Sequence, residues 1–249
     1  MQKIVADFCR SINLFIVVAA CALAVAAQEV EQNNSGAAET NSVSESVANA
    51  AQTDDDYGFD KKNAFSVWGG FAPDIPRVFG GSRRSRFGEI AFRYSRRLAT
   101  AGSVAINYHA DLIPFAVINY RRERILQNTP VQIVDRERET VYAAGLTPVG
   151  FQFNFRRRSK IQPFLTADAG LLIFGRKIPD DRSPLRPNQV GRRLNFQIAA
   201  GGGVEFLTSD ARSYTVGFRF NHLSNNSTAR INPGFDQNLF YFGYTFKKF

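Results

Sequence analysis

The chain has 249 residues, 44% of them hydrophobic and 13% aromatic, with two cysteines and a formal net charge of +9. That length fits one or two domains, and so few cysteines exclude a disulfide framework and a cysteine-rich zinc centre. All but two of the 31 Lys and Arg lie beyond residue 60, where they stand against 13 Asp and Glu, so the body of the chain is strongly basic.

The chain begins with Lys3 and Arg10 ahead of an apolar run from Leu14 to Val25, followed by small residues through Ala27. This pattern predicts a secretory signal peptide over residues 1–27, too short to span a membrane comfortably. Both cysteines, Cys9 and Cys21, fall inside it, so the mature protein is expected to carry no thiol. Val18-Ala19-Ala20-Cys21 has the outline of a lipoprotein box, but the residues after Cys21 stay apolar. Residues 28–61 are rich in Ala, Ser, Asn, Glu and Asp with no core-forming pattern, and read as a disordered acidic leader. For a secreted chain, the phosphates of an anionic membrane suit the basic body better than nucleic acid does.

From residue 62 to 249 the hydrophobic pattern has a period of two, and no long helical pattern appears. Eight strands are predicted: Ala64 to Pro73, Phe87 to Leu98, Gly102 to Leu112 and Tyr142 to Arg156, then Ile161 to Phe174, Arg193 to Leu207, Arg212 to Ser224 and Asp236 to Phe249. Their apolar rows include Ile90, Phe92 and Tyr94, or Phe196, Ile198, Val204 and Phe206. The opposite rows carry Glu89, Arg93, His109, Asp168, Glu205 and Arg219.

Connections alternate between short and long. Ala99 to Ala101, Arg157 to Lys160 and Thr208 to Ala211 are short. Pro73 to Arg86, Ile113 to Val141, Gly175 to Arg192 and Asn225 to Phe235 are long and mostly basic. Short turns at one end and long loops at the other are the pattern of an outer-membrane barrel. The expected fold is therefore an all-β, eight-stranded antiparallel transmembrane barrel. Apolar rows face lipid, and paired charges fill the lumen. A soluble lipocalin-like barrel with the rows reversed is disfavoured, because the polar rows hold Gly, Ala, Asn and Gln rather than the charges of a wet exterior.

The sequence holds no G-x-S-x-G elbow, phosphate-binding glycine loop or H-E-x-x-H, so no metal or cofactor is expected. One constellation has catalytic logic. Tyr214, Val216, Phe218 and Phe220 form an apolar row that runs directly into His222 and Ser224. Asp236 opens the row that continues through Phe240, Phe242, Tyr244 and Phe246. In a hairpin these polar ends share one edge. An imidazole beside a hydroxyl can take its proton, and a carboxylate can orient the imidazole.

His222-Leu223-Ser224-Asn225, followed by Asn232-Pro233-Gly234-Phe235-Asp236 and a terminal aromatic strand, resembles the PagL type of outer-membrane lipid A 3-O-deacylases, also described as acyloxyacyl hydrolase-like. The resemblance implies His222 as base, Ser224 as nucleophile and Asn225 as a contributor to the oxyanion hole. It also implies an acidic partner twelve residues after the serine. That family residue is Glu; Asp236 stands here, one methylene shorter. The implied partner is lipid A, or lipopolysaccharide, in the outer leaflet of a bacterial outer membrane, with a homodimer left open. Two other readings remain at this level: a non-enzymatic small barrel acting as an adhesin or structural protein, and a phospholipid esterase using the same three residues.

Overall fold

The computed structural model describes residues 61–73 and 83–249. The signal peptide, nearly all of the acidic leader and part of the first long connection lie outside the described residues. Eight antiparallel strands pair in sequence order, and β1 pairs with β8 to close a barrel. They are β1 (Asn63–Ala72), β2 (Ser85–Ala101), β3 (Val104–Gln127), β4 (Ile133–Asn154), β5 (Ile161–Asp180), β6 (Val190–Ser209), β7 (Arg212–Ser224) and β8 (Phe235–Lys248). Where all eight strands run side by side, closure satisfies their backbone groups and leaves no sheet edge, which a span through hydrocarbon requires. Phe249 seals the seam: its carbonyl accepts from the N–H groups of Lys62 and Asn63, and its own N–H donates to Asn63.

The period-two rows divide as the sequence predicts. Ile90, Phe92, Leu112, Ile173, Val216, Phe240 and Phe242 are exposed on the outer wall, whereas Glu89, Asp111, Asp168 and Arg219 are buried in the lumen. The interior is tied by ion pairs. Arg219 bridges Glu89 and Asp168, with Nη1 3.1 Å from Asp168 Oδ2. Its guanidinium lies 4.1 Å from the centroid of the Trp68 ring. Arg93 makes a two-pronged pair with Asp111 at 2.7 and 2.8 Å. His109 bonds Asp168, and Lys248 reaches Glu205 at 2.7 Å near the periplasmic end. Asp111, two residues beyond His109 on the same inward row, was not among the interior charges expected from the sequence.

Two sequence expectations are corrected. The first short turn falls at Gly102 and Ser103, two residues beyond the expected place, with Gly102 at φ 51°. Only glycine takes that backbone region without a steric cost. The second correction concerns the long connection from Ile113 to Val141, which is mostly strand. β3 and β4 continue as a hairpin of 24 and 22 residues. Within it Arg122 pairs across the ladder with Glu137, Glu123 with Arg136, and Arg124 with Asp135. Ile113, Ala116, Ile118 and Tyr120 are buried within it, but from 121 to 140 both faces are mostly polar and no apolar row marks the extension.

About 9–11 tilted residues cross the hydrocarbon core. β3 to β6 run 20 residues or more and rise well past that, whereas β7 and β8 have only 13 and 14. The outer rim is therefore tall on one side and low at β7–β8. An even number of strands returns the chain to the periplasmic side, so the tall side is extracellular. Proteinase K added to intact cells is expected to cut at the hairpin tip, residues 128–132, or in residues 181–189. Protection of both stretches in intact cells would contradict this topology. Arg219→Ala would leave the buried Glu89 without a cation and weaken the pairing of Asp168, and is expected to cost about 3–5 kcal/mol, read as a lowered urea midpoint for the detergent- or liposome-folded barrel.

Candidate active site

The end of β7 reaches the low rim with its two faces sharply distinguished. Arg219, Asn221, Leu223 and Asn225 are buried, while Tyr214, Val216 and Phe218 are exposed on the wall. His222 and Ser224 continue the outward row and are half-exposed. β8 runs alongside in a register that places Val216 opposite Phe242, Phe218 opposite Phe240 and His222 opposite Asp236. The Phe218 and Phe240 rings lie 5.2 Å apart. The polar pair thus caps a ladder of aromatic rungs on the outer face.

His222 Nδ1 and Asp236 Oδ1 are 2.7 Å apart. The His222 side chain is 34% exposed and that of Asp236 only 3%. A carboxylate so enclosed holds the imidazole by its Nδ1 side and fixes the ring's orientation. The shorter Asp suffices because the two residues are direct cross-strand partners, whose Cβ atoms lie about 4.5–5.5 Å apart in such pairs. Ser224 shares the outward row, two residues beyond His222 and opposite Phe196 of β6. The structure joins His222 to Asp236 and places Ser224 next along the same face, without a hydrogen bond between the Ser224 hydroxyl and the imidazole. Catalytic hydrogen bonds of this kind often tighten only with substrate bound.

Asn225 lies just past the strand end and is 1% exposed. Its backbone N–H donates to Asn232 Oδ1 at 3.0 Å, and its Nδ2 donates to the Ile231 carbonyl at 2.9 Å. Its own carbonyl accepts from the Thr228 hydroxyl at 2.7 Å. Alternation along β7 directs this side chain inward, and it organises the loop from 225 to 234 from beneath.

Two residues enter the site that sequence reasoning left without a role. Gly234 has φ 71°, and a Cβ there would stand 2.9 Å from His222 Cε1. The Asn232-Pro233-Gly234 run reads as a turn in sequence, but its contact with the imidazole depends on the hairpin register. Arg83 supplies the second contact. Its N–H donates to the Gly234 carbonyl at 3.0 Å, and its guanidinium pairs with Asp181. The tall side of the barrel thereby braces the strand that carries Asp236. Among the described residues no group of His, Cys, Asp and Glu forms a metal-binding cluster.

The family model described as lipid A 3-O-deacylase (PagL) matches residues 108–245. No curated protein matches the chain. Among solved structures, the crystal structure of the outer membrane enzyme PagL aligns with a TM-score of 0.45 and 15% identity, covering 73% of this chain and 97% of that one. Neisserial surface protein A aligns at 0.39 and 10%, covering 74% and 96%. The attachment invasion locus protein Ail of Yersinia pestis aligns at 0.32 and 11%, covering 76% and 99%.

Gly234→Ala forces a Cβ against the imidazole from a strained backbone. It is expected to lower ester hydrolysis by about 100-fold, the usual cost of a 1 Å misplacement, while the barrel still shows heat-modifiable migration on a gel. Wild-type hydrolysis by this variant would remove Gly234 from the site.

Proposed function

Because the chain belongs to the lipid A 3-O-deacylase (PagL) family, we propose that this outer-membrane barrel hydrolyses the 3-O-linked acyl ester of lipid A, using Ser224, His222 and Asp236 on its lipid-facing wall. The observation that carries the reading is the 2.7 Å His222–Asp236 pair at the head of an outward apolar row. A structural barrel has no need of an enclosed carboxylate beneath a half-exposed imidazole at the membrane boundary. The two-residue step from His222 to Ser224 along one strand face supplies the nucleophile.

The chemistry follows from these groups. The imidazole of His222 takes the proton of the Ser224 hydroxyl as the oxygen attacks the ester carbonyl. Asp236 holds the ring and stabilises the imidazolium that forms. Asn225, which the family resemblance casts as oxyanion donor, does not meet the oxyanion from its place here: its amide is turned inward and donates to the Ile231 carbonyl, so it acts through the loop it holds. Collapse of the tetrahedral intermediate breaks the bond to the sugar oxygen, which leaves with the proton held by His222. An acyl group then remains on Ser224. Water, deprotonated by His222, releases the fatty acid and restores the serine.

The position of the site accounts for its economy. The outer leaflet brings the ester to the wall while its acyl chains stay in hydrocarbon beside Phe218, Phe240 and Phe242. Extracting a chain into water would cost about 0.8 kcal/mol per CH₂. A site in the lumen would meet that cost, and the lumen is already filled by Arg219, Glu89 and Asp168.

Mass spectrometry of lipid A from a Gram-negative host tests the reading. Expression of the wild type is expected to yield lipid A lacking one 3-linked acyl chain, and Ser224→Ala is expected to leave it intact. Unchanged lipid A with the wild type, or full deacylation by a folded Ser224→Ala, would overturn it. Asp236→Asn is expected to lower the rate by about 10⁴-fold, as loss of the orienting carboxylate does in serine hydrolases. A wild-type rate for that variant would remove Asp236 from the mechanism.

A further inference from the structure

The outer wall beside the site changes character along β6. Its outward row runs from Val204 through Ala200 to Ile198 and Phe196, the partners of His222 and Ser224, then through Leu194 to Arg192. β6 continues upward after β7 has ended. In the angle between this taller strand and the loop from 225 to 234 lies an open groove of about 340 Å³. Three cations line it, Lys177 from β5, Arg192 from β6 and Arg230 from the loop, together with Asn188 and Thr228, and no carboxylate.

That charge is uncompensated, whereas several other cations of the rim face acids. Arg122 faces Glu139 and Asp180, Arg136 faces Glu123, Arg83 faces Asp181, and Arg182 faces Asp180. Among the described residues, Lys177, Arg192 and Arg230 pair with no acidic side chain. Arg192 is also fixed in place, because its Nε and Nη2 donate to the Thr228 carbonyl at 3.0 and 2.8 Å. Its remaining donors are unspent, and a held guanidinium presents them as a preformed fork.

The groove stands at a useful height. Arg192 is four residues beyond Phe196, which is level with Ser224. At about 3.3 Å per residue this is roughly 13 Å along a tilted strand, with Arg230 reaching in from the loop. The apolar row ends in Phe196 and Leu194, so Arg192 stands above the level of Ser224, on the head-group side.

We propose that Lys177, Arg192 and Arg230 form an anion subsite that binds a phosphate on the head group of the glycolipid substrate and so sets which ester lies against Ser224. This rests on the lipid A reading of the active site. Binding there also bears on the reaction centre through a bonded path. Arg192 holds the Thr228 carbonyl, and Thr228 holds the carbonyl of Asn225, the residue next to Ser224.

The test separates binding from hydrolysis. The folded Ser224→Ala protein in nonionic detergent micelles is titrated with lipid A carrying its phosphates, and with the same lipid A after phosphatase treatment. The phosphorylated form is expected to bind about ten-fold or more tightly, in line with charge-assisted contacts, and Arg230→Gln is expected to remove most of the difference. Arg230 makes no bond to the loop backbone, so this variant removes charge without loosening Thr228. The Lys177→Gln/Arg192→Gln/Arg230→Gln variant is expected to bind both lipids alike. Equal affinity for the two lipids in the parent protein would overturn the subsite. So would an undiminished preference in the triple variant. Displacement by millimolar inorganic phosphate without any preference between the lipids would reassign the groove to free phosphate and also overturn the head-group assignment. None of these readings depends on acyl release, so a failure of the deacylase reading would be seen separately.

Discussion

The pairing of Arg219 with Glu89 and Asp168 in the lumen is the interaction on which the rest of the barrel depends. A buried guanidinium needs carboxylates, and buried carboxylates need cations; neither can turn to face hydrocarbon. Arg219 lies on β7, Glu89 on β2 and Asp168 on β5, so one residue ties three separate parts of the wall together. Because side chains alternate with a period of two, fixing Arg219 inward fixes Tyr214, Val216, Phe218, His222 and Ser224 outward. A register slip by one residue would invert both rows at once. The outward facing of His222 and Ser224 is thus a consequence of charge burial lower in the same strand.

The uneven rim gives that outward row its meaning. β3 to β6 rise above the membrane and are laced by cross-strand ion pairs, whereas β7 and β8 stop near the boundary. The site stands where the wall is low and lipid can approach from the side. The tall wall still acts on it, because Arg83, anchored at Asp181, bonds the Gly234 carbonyl just ahead of Asp236. The same difference in height opens the cationic groove beside the loop.

The fold was largely legible in the sequence. The period-two rows, the alternation of short and long connections and the terminal aromatic strand identify the eight strands, their order and their two faces. β7 emerges with the bounds assigned from the pattern. The strand ends of β3, β4 and β5 were not legible. Past Tyr120 of β3 and ahead of Val141 of β4 no side chain is buried, so the polar sequence there resembles loop, and in β5 the buried Ile178 stands too alone to mark a strand. The large basic connection read from Ile113 to Val141 is for that reason a hairpin whose arginines mostly face acids.

For the site, sequence alone determined the residue types and their spacing: His222 and Ser224 on one strand face, Asp236 at the head of the next, and a loop between them. Tertiary structure alone decided that His222 and Asp236 are direct cross-strand partners. That is why an Asp, one methylene shorter than the family's Glu, closes to 2.7 Å. It alone also showed that Gly234 lies against the imidazole, that Asn225 is bound beneath its loop, and that Lys177, Arg192 and Arg230 share one groove. Spacing along a strand fixes which way a side chain faces, because the pleat is local. Which residues meet depends on register between strands far apart in the chain, and that is set by closing the whole barrel at once.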